Sequence, residues 1–273
     1  MVDRYAVVGN PIRHSKSPLI HSTFAQQTGQ QLTYEIIEPP LGTFNQAVDA
    51  FRAAGGRGVN VSTPFKLDAY AYATEPMERA RWAGASNCLK FDGDRVQAEN
   101  FDGVGLLNDI QRNLGFPLRG RRVLLLGAGG AARGVLPLFL QEAPAMLVIA
   151  NRDVARASRL HDEFARFGAF VTCNYSELAG QSFDIVANAT SASLRGELPP
   201  VPAAAFAPGC LAYELAYGKG LTPFLRAARD AGAARLADGV GMLVEQAAEA
   251  FLWWRGVRPD TSDMIKTLTV PLV

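Results

Sequence analysis

The feature that most constrains this chain is the segment Arg122 to Gly134, RVLLLGAGGAARG, in which an apolar run breaks into glycines and then into helix-forming residues near mid-chain. Gly127, Gly129 and Ala132 keep the G-x-G-x-x-G/A spacing. At that spacing a backbone turns tightly, approaches a pyrophosphate closely and points helix N-terminal N–H groups at it. Glycine-rich turns also join strands to helices for steric reasons alone, so the neighbouring sequence has to decide. Val123 to Leu126 read as a buried parallel strand, a helix follows at once, and Met146 to Ala150 (MLVIA) supply the next strand. With a complete βαβ unit legible, the reading is a dinucleotide site, and the roughly 120 residues before it suffice for a separate ligand-holding domain.

The second strand ends in Asn151-Arg152, where a site for NAD carries an acid about 20 residues after the glycines to hold the ribose 2′-hydroxyl. No acid stands there. Arg152 and Arg156 lie one helical turn apart instead, and planar guanidinium groups so spaced can clamp a 2′-phosphate. The bland alternative is two solvated arginines on a surface helix, and Asp153 between them is a discordant charge.

Composition narrows the function classes. With 273 residues, 48% of them hydrophobic, one or two cores can form without disulfide or metal. A net charge of +1 with no basic stripe gives nucleic acid or an anionic membrane no electrostatic footing, which leaves small-molecule chemistry. Cys88, Cys173 and Cys210 are widely spaced with no C-x-x-C pair, so they are expected reduced and mostly buried, and no His/Cys cluster has metal spacing. The N-terminus shows no signal-peptide pattern and no apolar stretch reaches membrane-spanning length, so a cytoplasmic protein is expected.

Strand and helix signals alternate: YAVVG, a helix from Pro18 to about Thr28, TYEIIE, a helix around residues 43 to 54, then GVNVS. This is α/β grammar with a largely parallel sheet. Ser17-Pro18 and Thr222-Pro223 each read as an N-cap followed by proline at the first helical position. Asp92-Gly93 reads as a hairpin turn, and Pro137 predicts a kink in the helix after the glycine turn. The handover between domains falls in residues 100 to 105, and a long helix after about Gly239, GMLVEQAAEAFLWW, is placed to return to the first domain.

GNPIRHSKSP puts Ser15 and Ser17 just before a helix N-terminus, where hydroxyls and unpaired N–H groups suit a small carboxylate. Capping alone accounts for Ser17 but not for Ser15. His14 and His21 read as packing or surface residues. NVSTPFK, Asn60 to Lys66, ends a buried strand in polar residues and starts a helix after Pro64, with Lys66 near the strand's carboxyl end, the edge where open α/β sheets bind ligands. By themselves Lys66 and Asp102, the latter in ENFDG, look like ordinary surface residues.

Together the segments say more. SKSP, NVSTPFK, AGASN, ENFDG, LGAGGAARG, NR, NATS, YGKGLTPF and DGVGMLVEQAA follow one another in the order, and at nearly the spacing, of the shikimate dehydrogenase family, which the chain resembles along essentially its whole length. The resemblance implies an oxidoreductase interconverting 3-dehydroshikimate and shikimate with NADPH, on the route to aromatic amino acids. It implies that Lys66 and Asp102 form the catalytic pair, that Ser15, Ser17, Ser62 and Tyr217 hold the substrate carboxylate, and that Asn87 and Gln246 bind ring hydroxyls. The implied cofactor set is Gly127, Ala128, Gly129, Gly130, Ala131, Asn151, Arg152, Arg156, Leu215 and Gly239, with Glu78 and Thr190 added. Hydride addition to a carbonyl builds charge on oxygen, which a positioned ammonium can meet with a proton while a carboxylate orients it.

The chain departs from the family pattern at four places: Phe101, Ser62 and Asp153 stand where threonine is common, and Glu214 stands for aspartate. Phe101 bears on the geometry of the substrate pocket, and Asp153 on the preference for NADP. The expected architecture is two-domain α/β: a substrate domain of residues 1–101 completed by 240–273, and a doubly wound, Rossmann-like NADP-binding domain of residues 102–239, with the site in the cleft. A homodimer is compatible with it. The rival readings are an NAD-dependent quinate/shikimate dehydrogenase and a non-catalytic NADP-binding sensor, the latter having no need of the Lys66 and Asp102 pair.

Overall fold

A computed structural model describes residues 2–272. They form two compact units, Met1–Gly105 with Val244–Met264, and Leu106–Leu243 with Ile265–Val273. The returning segment is therefore Val244–Met264; the last residues pack with the second unit, whereas the sequence assigns all of 240–273 to the first.

The first unit is built on strands β1 (Asp3–Val8), β2 (Leu32–Ile37), β3 (Gly56–Val61), β4 (Glu75–Pro76), β5 (Cys88–Asp92) and β6 (Arg95–Glu99), in the order β2-β1-β3-β5-β6-β4. Its helices are α1 (Ser17–Gln27), α2 (Phe44–Ala53), α3 (Lys66–Tyr72), α4 (Glu78–Ala83) and the start of α5 (Asp102–Asn108). β1 is parallel to β2 and β3, whereas β5 runs antiparallel to both β3 and β6, so this sheet is mixed. Asp92 pairs with Arg95, and Gly93 takes the left-handed φ of +56° that the tight hairpin needs. Both faces are covered: Ala6, Val8, Val59 and Val61 pack with Phe44, Val48 and Phe51 of α2, while Tyr5 faces the other way toward Trp254. Successive strand residues point to opposite faces, which is why β1 reads as an unbroken apolar run.

One topological consequence positions the first site. Reversal of β5 places its amino end, just after Asn87, at the edge where β1, β3 and β6 have their carboxyl ends. Four chain segments distant in sequence thus converge on one sheet edge.

The second unit holds β7 (Arg122–Leu126), β8 (Met146–Ala150), β9 (Val171–Cys173), β10 (Phe183–Asn188), β11 (Phe206–Glu214) and β12 (Arg235–Asp238), all parallel, in the order β12-β11-β10-β7-β8-β9. α6 (Gly130–Gln141), α7 (Val154–Phe164) and α8 (Pro223–Asp230) connect them. Val123 and Leu125 belong to one buried cluster, Leu124 and Leu126 to the other, so β7 is sandwiched between helical layers. The strand order reverses between β7 and β10, which places a ligand crevice beyond their carboxyl ends. α9 (Val240–Arg255) and α10 (Ser262–Leu268) complete the chain.

Two local readings of the helix starts diverge. Thr222 caps α8 with its side chain, accepting from Leu225 N at 3.2 Å. Ser17 does not cap α1: the cap position is Lys16, and Ser17 is the first helical residue, its N–H donating to Ser15 Oγ at 3.2 Å. Pro18 is then the second helical residue, where its missing N–H costs no intrahelical bond. α6 runs on through the buried Pro137 as one helix.

Candidate active site and cofactor cavity

In the first unit the loops after β1 and β3 are stitched together: Ser62 N donates to Val8 O at 2.8 Å and Asn10 N to Thr63 O at 3.1 Å. Phe65, 2% exposed, anchors the turn in the core, and Lys66 follows as the first residue of α3. A cation there opposes the helix dipole, so Lys66 is not placed for the good of its own helix. Its Nζ donates to Asp102 Oδ2 at 2.5 Å. Asp102 opens α5, where a carboxylate suits the dipole, and its N–H donates to Asn100 Oδ1 at 3.1 Å.

Asn87 locks the other half of that carboxylate. Its Nδ2 donates to Asp102 Oδ1 at 2.9 Å and to Gln246 Oε1 of α9 at 3.2 Å, while its Oδ1 accepts from Phe101 N at 2.8 Å. A flipped amide would set its NH2 against the Phe101 N–H, so the network admits one orientation. Ser15 Oγ donates to Ser17 Oγ at 3.1 Å, in the loop joined to that carrying Ser62. Ser15, Ser17, Ser62, Lys66, Asn87, Asp102 and Gln246 all lie in this unit.

Sequence reasoning overlooked Asn60, at the end of β3. It is buried, its Oδ1 accepts from Tyr34 OH at 2.6 Å, and its Nδ2 has no hydrogen-bond partner among the described residues. A buried amide donor without a partner is costly unless a ligand oxygen meets it. The signal was an asparagine amid the apolar residues of GVNV. His21 stacks on Tyr34 with ring centroids 4.4 Å apart, and burial pushes its imidazole down to about 3.

In the second unit a cavity of about 380 Å³ lies at the start of α6, lined by Gly127, Ala128, Gly129 and Gly130 with Asn151, Arg152 and Arg156. Gly127 holds φ +101°, which L side chains rarely adopt, and a Cβ there would also crowd Thr190 Cγ2 at 3.0 Å. Arg156 Nε donates to Ala128 O at 3.0 Å, which ties the second arginine to the glycine turn. The cavity also takes in Tyr175, Thr190, Arg195 and Glu197, of which the family resemblance points only to Thr190. Backbone donors at a helix start beside two arginines fit a dinucleotide bearing a 2′-phosphate.

Three family models match the chain: the shikimate dehydrogenase substrate binding domain over residues 7–89, shikimate / quinate 5-dehydrogenase over 109–195, and the shikimate 5'-dehydrogenase C-terminal domain over 239–269. A Nitrosospira multiformis protein named Shikimate dehydrogenase (NADP(+)) is 55% identical over 268 residues, 98% of each chain. The chain belongs to the shikimate dehydrogenase family. A Chromobacterium violaceum protein of the same name is 54% identical, again over 98% of each chain. Among solved structures, an Ael1 enzyme from Pseudomonas putida matches with TM-score 0.95 and 61% identity, over 99% of this chain and 100% of that one. The Thermus thermophilus shikimate 5-dehydrogenase in complex with NADP(H) and shikimate matches with TM-score 0.86 and 32% identity, over 98% of each.

Three of the four family departures have local explanations. Phe101 points into the core, 2% exposed, its ring edge-on to Trp253 with centroids 5.8 Å apart and the Arg79 guanidinium 5.1 Å from its centre; only its backbone N–H serves the site. Asp153 is the N-cap of α7, its Oδ1 accepting from Arg156 N at 3.1 Å, so the charge that looked discordant has a helix to serve. Glu214 is fully buried and accepts from Asn188 Nδ2 at 3.0 Å, Thr222 Oγ1 at 3.2 Å and the Ser193 hydroxyl, while burial pushes its carboxyl up.

The remaining predicted residues lie elsewhere. Ala131 is in the first turn of α6, and it, Leu215 and Gly239 are not in the cavity lining. Gly239 is required by packing: a Cβ would meet Leu215 O at 2.1 Å. Tyr217 follows β11 in the second unit, where burial pushes its phenol up, and Glu78 opens α4 in the first.

Proposed function

We propose that this protein is an NADP-dependent shikimate dehydrogenase, reducing 3-dehydroshikimate to shikimate reversibly on the route to chorismate. The observation that carries the reading is the Lys66–Asp102 contact of 2.5 Å, with Asn87 holding the second carboxylate oxygen, in a chain with the family's motifs end to end. NADPH supplies the hydride when bound.

Lys66 holds the proton at Nζ for the oxygen of the ring carbonyl. As that carbon gains the hydride, the oxygen takes the Nζ proton and the product is the alcohol; the reverse reaction returns the proton to a neutral amine. The Asp102 carboxylate aims the ammonium, and Asn87, whose Nδ2 also donates to Gln246 Oε1, holds that carboxylate in place; Asn87 and Gln246 are the residues assigned to the ring hydroxyls. Ser15, Ser17 and Ser62 take the substrate carboxylate. Each hydroxyl lost from the substrate leaves a polar partner unpaired, which suits a site selective for a polyhydroxylated acid. Arg152 and Arg156 take the 2′-phosphate, with Asn151 and the Gly127–Ala131 turn around the rest of the nucleotide.

Following nicotinamide absorbance with shikimate or quinate, and NADP or NAD, tests the reading. Shikimate with NADP is expected to give the highest kcat/KM. Quinate with NAD as the preferred pair would replace this reading by the quinate/shikimate one, and no turnover with any pair would leave a nucleotide-binding protein.

A further inference from the structure

The cofactor cavity contains an ion pair that the family motifs do not account for. Arg195 and Glu197 lie on the loop after β10, and both line the cavity with Arg152 and Arg156. The Arg195 guanidinium donates Nε to Glu197 Oε1 at 3.0 Å and NH2 to Glu197 Oε2 at 2.7 Å, a two-pronged contact, while NH1 donates to Ser191 Oγ at 2.8 Å. That side chain is therefore held from both ends of its fork, in a loop segment that includes the left-handed Gly196 at φ +71°. A carboxylate gripped through two oxygens by one guanidinium has the geometry with which arginine holds a phosphate.

Glu197 also feels more than its direct partner. The hydrogen bond from Arg195 holds its carboxyl below the ordinary range; desolvation opposes it, and the charges of Arg195 and then Arg152 add smaller contributions in the same direction as the hydrogen bond. Arg152, one of the two arginines assigned to the 2′-phosphate, thus shares its field with a resident carboxylate.

We infer that Glu197 is an internal counter-ion of the 2′-phosphate subsite, and that Arg195 is its third arginine, held by Glu197 and competed for by the phosphate. The inference rests on the cofactor reading above and adds to it a residue that lowers affinity for the 2′-phosphate and one that raises it. Glu197 keeps three like-charged arginine side chains near one cavity tolerable before the nucleotide arrives, at the cost of some affinity afterwards.

The test is equilibrium binding of 2′,5′-ADP and of 5′-AMP, which differ only in the 2′-phosphate, by titration calorimetry on wild type, Glu197→Gln, Arg195→Gln, the double variant and Arg152→Gln. Because both side chains are about half exposed, the effects are those of solvated charges. Glu197→Gln is expected to tighten 2′,5′-ADP about three- to fivefold and Arg195→Gln to weaken it by about as much, both changes shrinking at high salt, with 5′-AMP little affected. The double variant is expected to fall between the two single ones. Unchanged or weaker 2′,5′-ADP binding in Glu197→Gln, or an equal gain for 5′-AMP, overturns the inference. If wild type shows no preference for 2′,5′-ADP and Arg152→Gln changes nothing, the cofactor reading itself fails; if Arg152→Gln abolishes a preference that Glu197→Gln leaves alone, only this inference does.

Discussion

The two candidate sites are built on opposite plans. In the first unit, side chains from four segments hold one another before any ligand is present: Asn87 spends three side-chain hydrogen bonds on protein groups, and Asp102 has a partner on each oxygen. In the second, the cavity is floored by backbone at glycines and rimmed by exposed arginines. Proton transfer depends on a few tenths of an ångström, so its groups are oriented in advance and partly buried. Phosphate recognition relies on charge and backbone N–H groups, which tolerate solvent and small displacements.

The sharpest break of this comparison is Lys66→Met, expected to lower kcat by about 10² to 10⁴ with a much smaller change in KM. A variant keeping more than half of wild-type kcat would show that the ordered network is structural only. Asp102→Asn is expected to act similarly, and the double variant to be far from additive, since the two groups work as a unit.

Acid should separate the regions next. His21, stacked on Tyr34 in the first unit, is neutral when folded, with its value depressed to about 3 against about 6.5 unfolded. The unfolded state therefore binds more protons between those values. The stability contributed by the neutral ring is complete above about pH 6.5 and is lost as pH falls, by about 1.4 kcal/mol per unit and so about 2 kcal/mol at pH 5. Urea unfolding of wild type and His21→Phe at pH 7 and 5 checks this; equal losses in both proteins would dismiss His21 as the source.

On the cofactor side, Arg152→Ala is expected to erode the preference for NADP over NAD by about tenfold, mainly through the KM for NADP. An unchanged ratio would move the preference to Arg156 and Arg195. The smallest effect belongs to Asp153. As an N-cap, its replacement by alanine is expected to cost about 1 kcal/mol in thermal or urea stability, whereas threonine, which also caps, should cost less. A large gain in NADP preference with stability intact would restore its reading as a charge opposed to phosphate.

Much of this was legible along the chain. The βαβ unit around Gly127, the parallel α/β grammar, the Thr222 cap and the Asp92 hairpin follow from periodicity and turn chemistry, which are local. The glycine at 127 could be read because φ +101° strains any side chain there, and a sequence shows such a demand directly. Lys66 and Asp102 were different. As single residues they looked like solvated charges, and only the succession of family motifs singled them out. Their contact spans 36 positions and depends on the reversal of β5, which no window around either residue contains.

What the sequence determined by itself, then, was the kind of layer each segment enters and the family whose motifs it carries, because hydrophobic period, capping and glycine spacing act over a few residues. Tertiary structure alone decided which polar groups meet. It turned Phe101 into the core, made Asp153 a cap, shifted Ser17 inside its helix, left Asn60 Nδ2 without a partner among the described residues, and set Arg195 and Glu197 against the cavity that holds Arg152. A side chain's role depends on which groups desolvate it and share its hydrogen bonds. Those neighbours are assigned by strand order and loop closure across the whole unit, and not by the residues beside it in the chain.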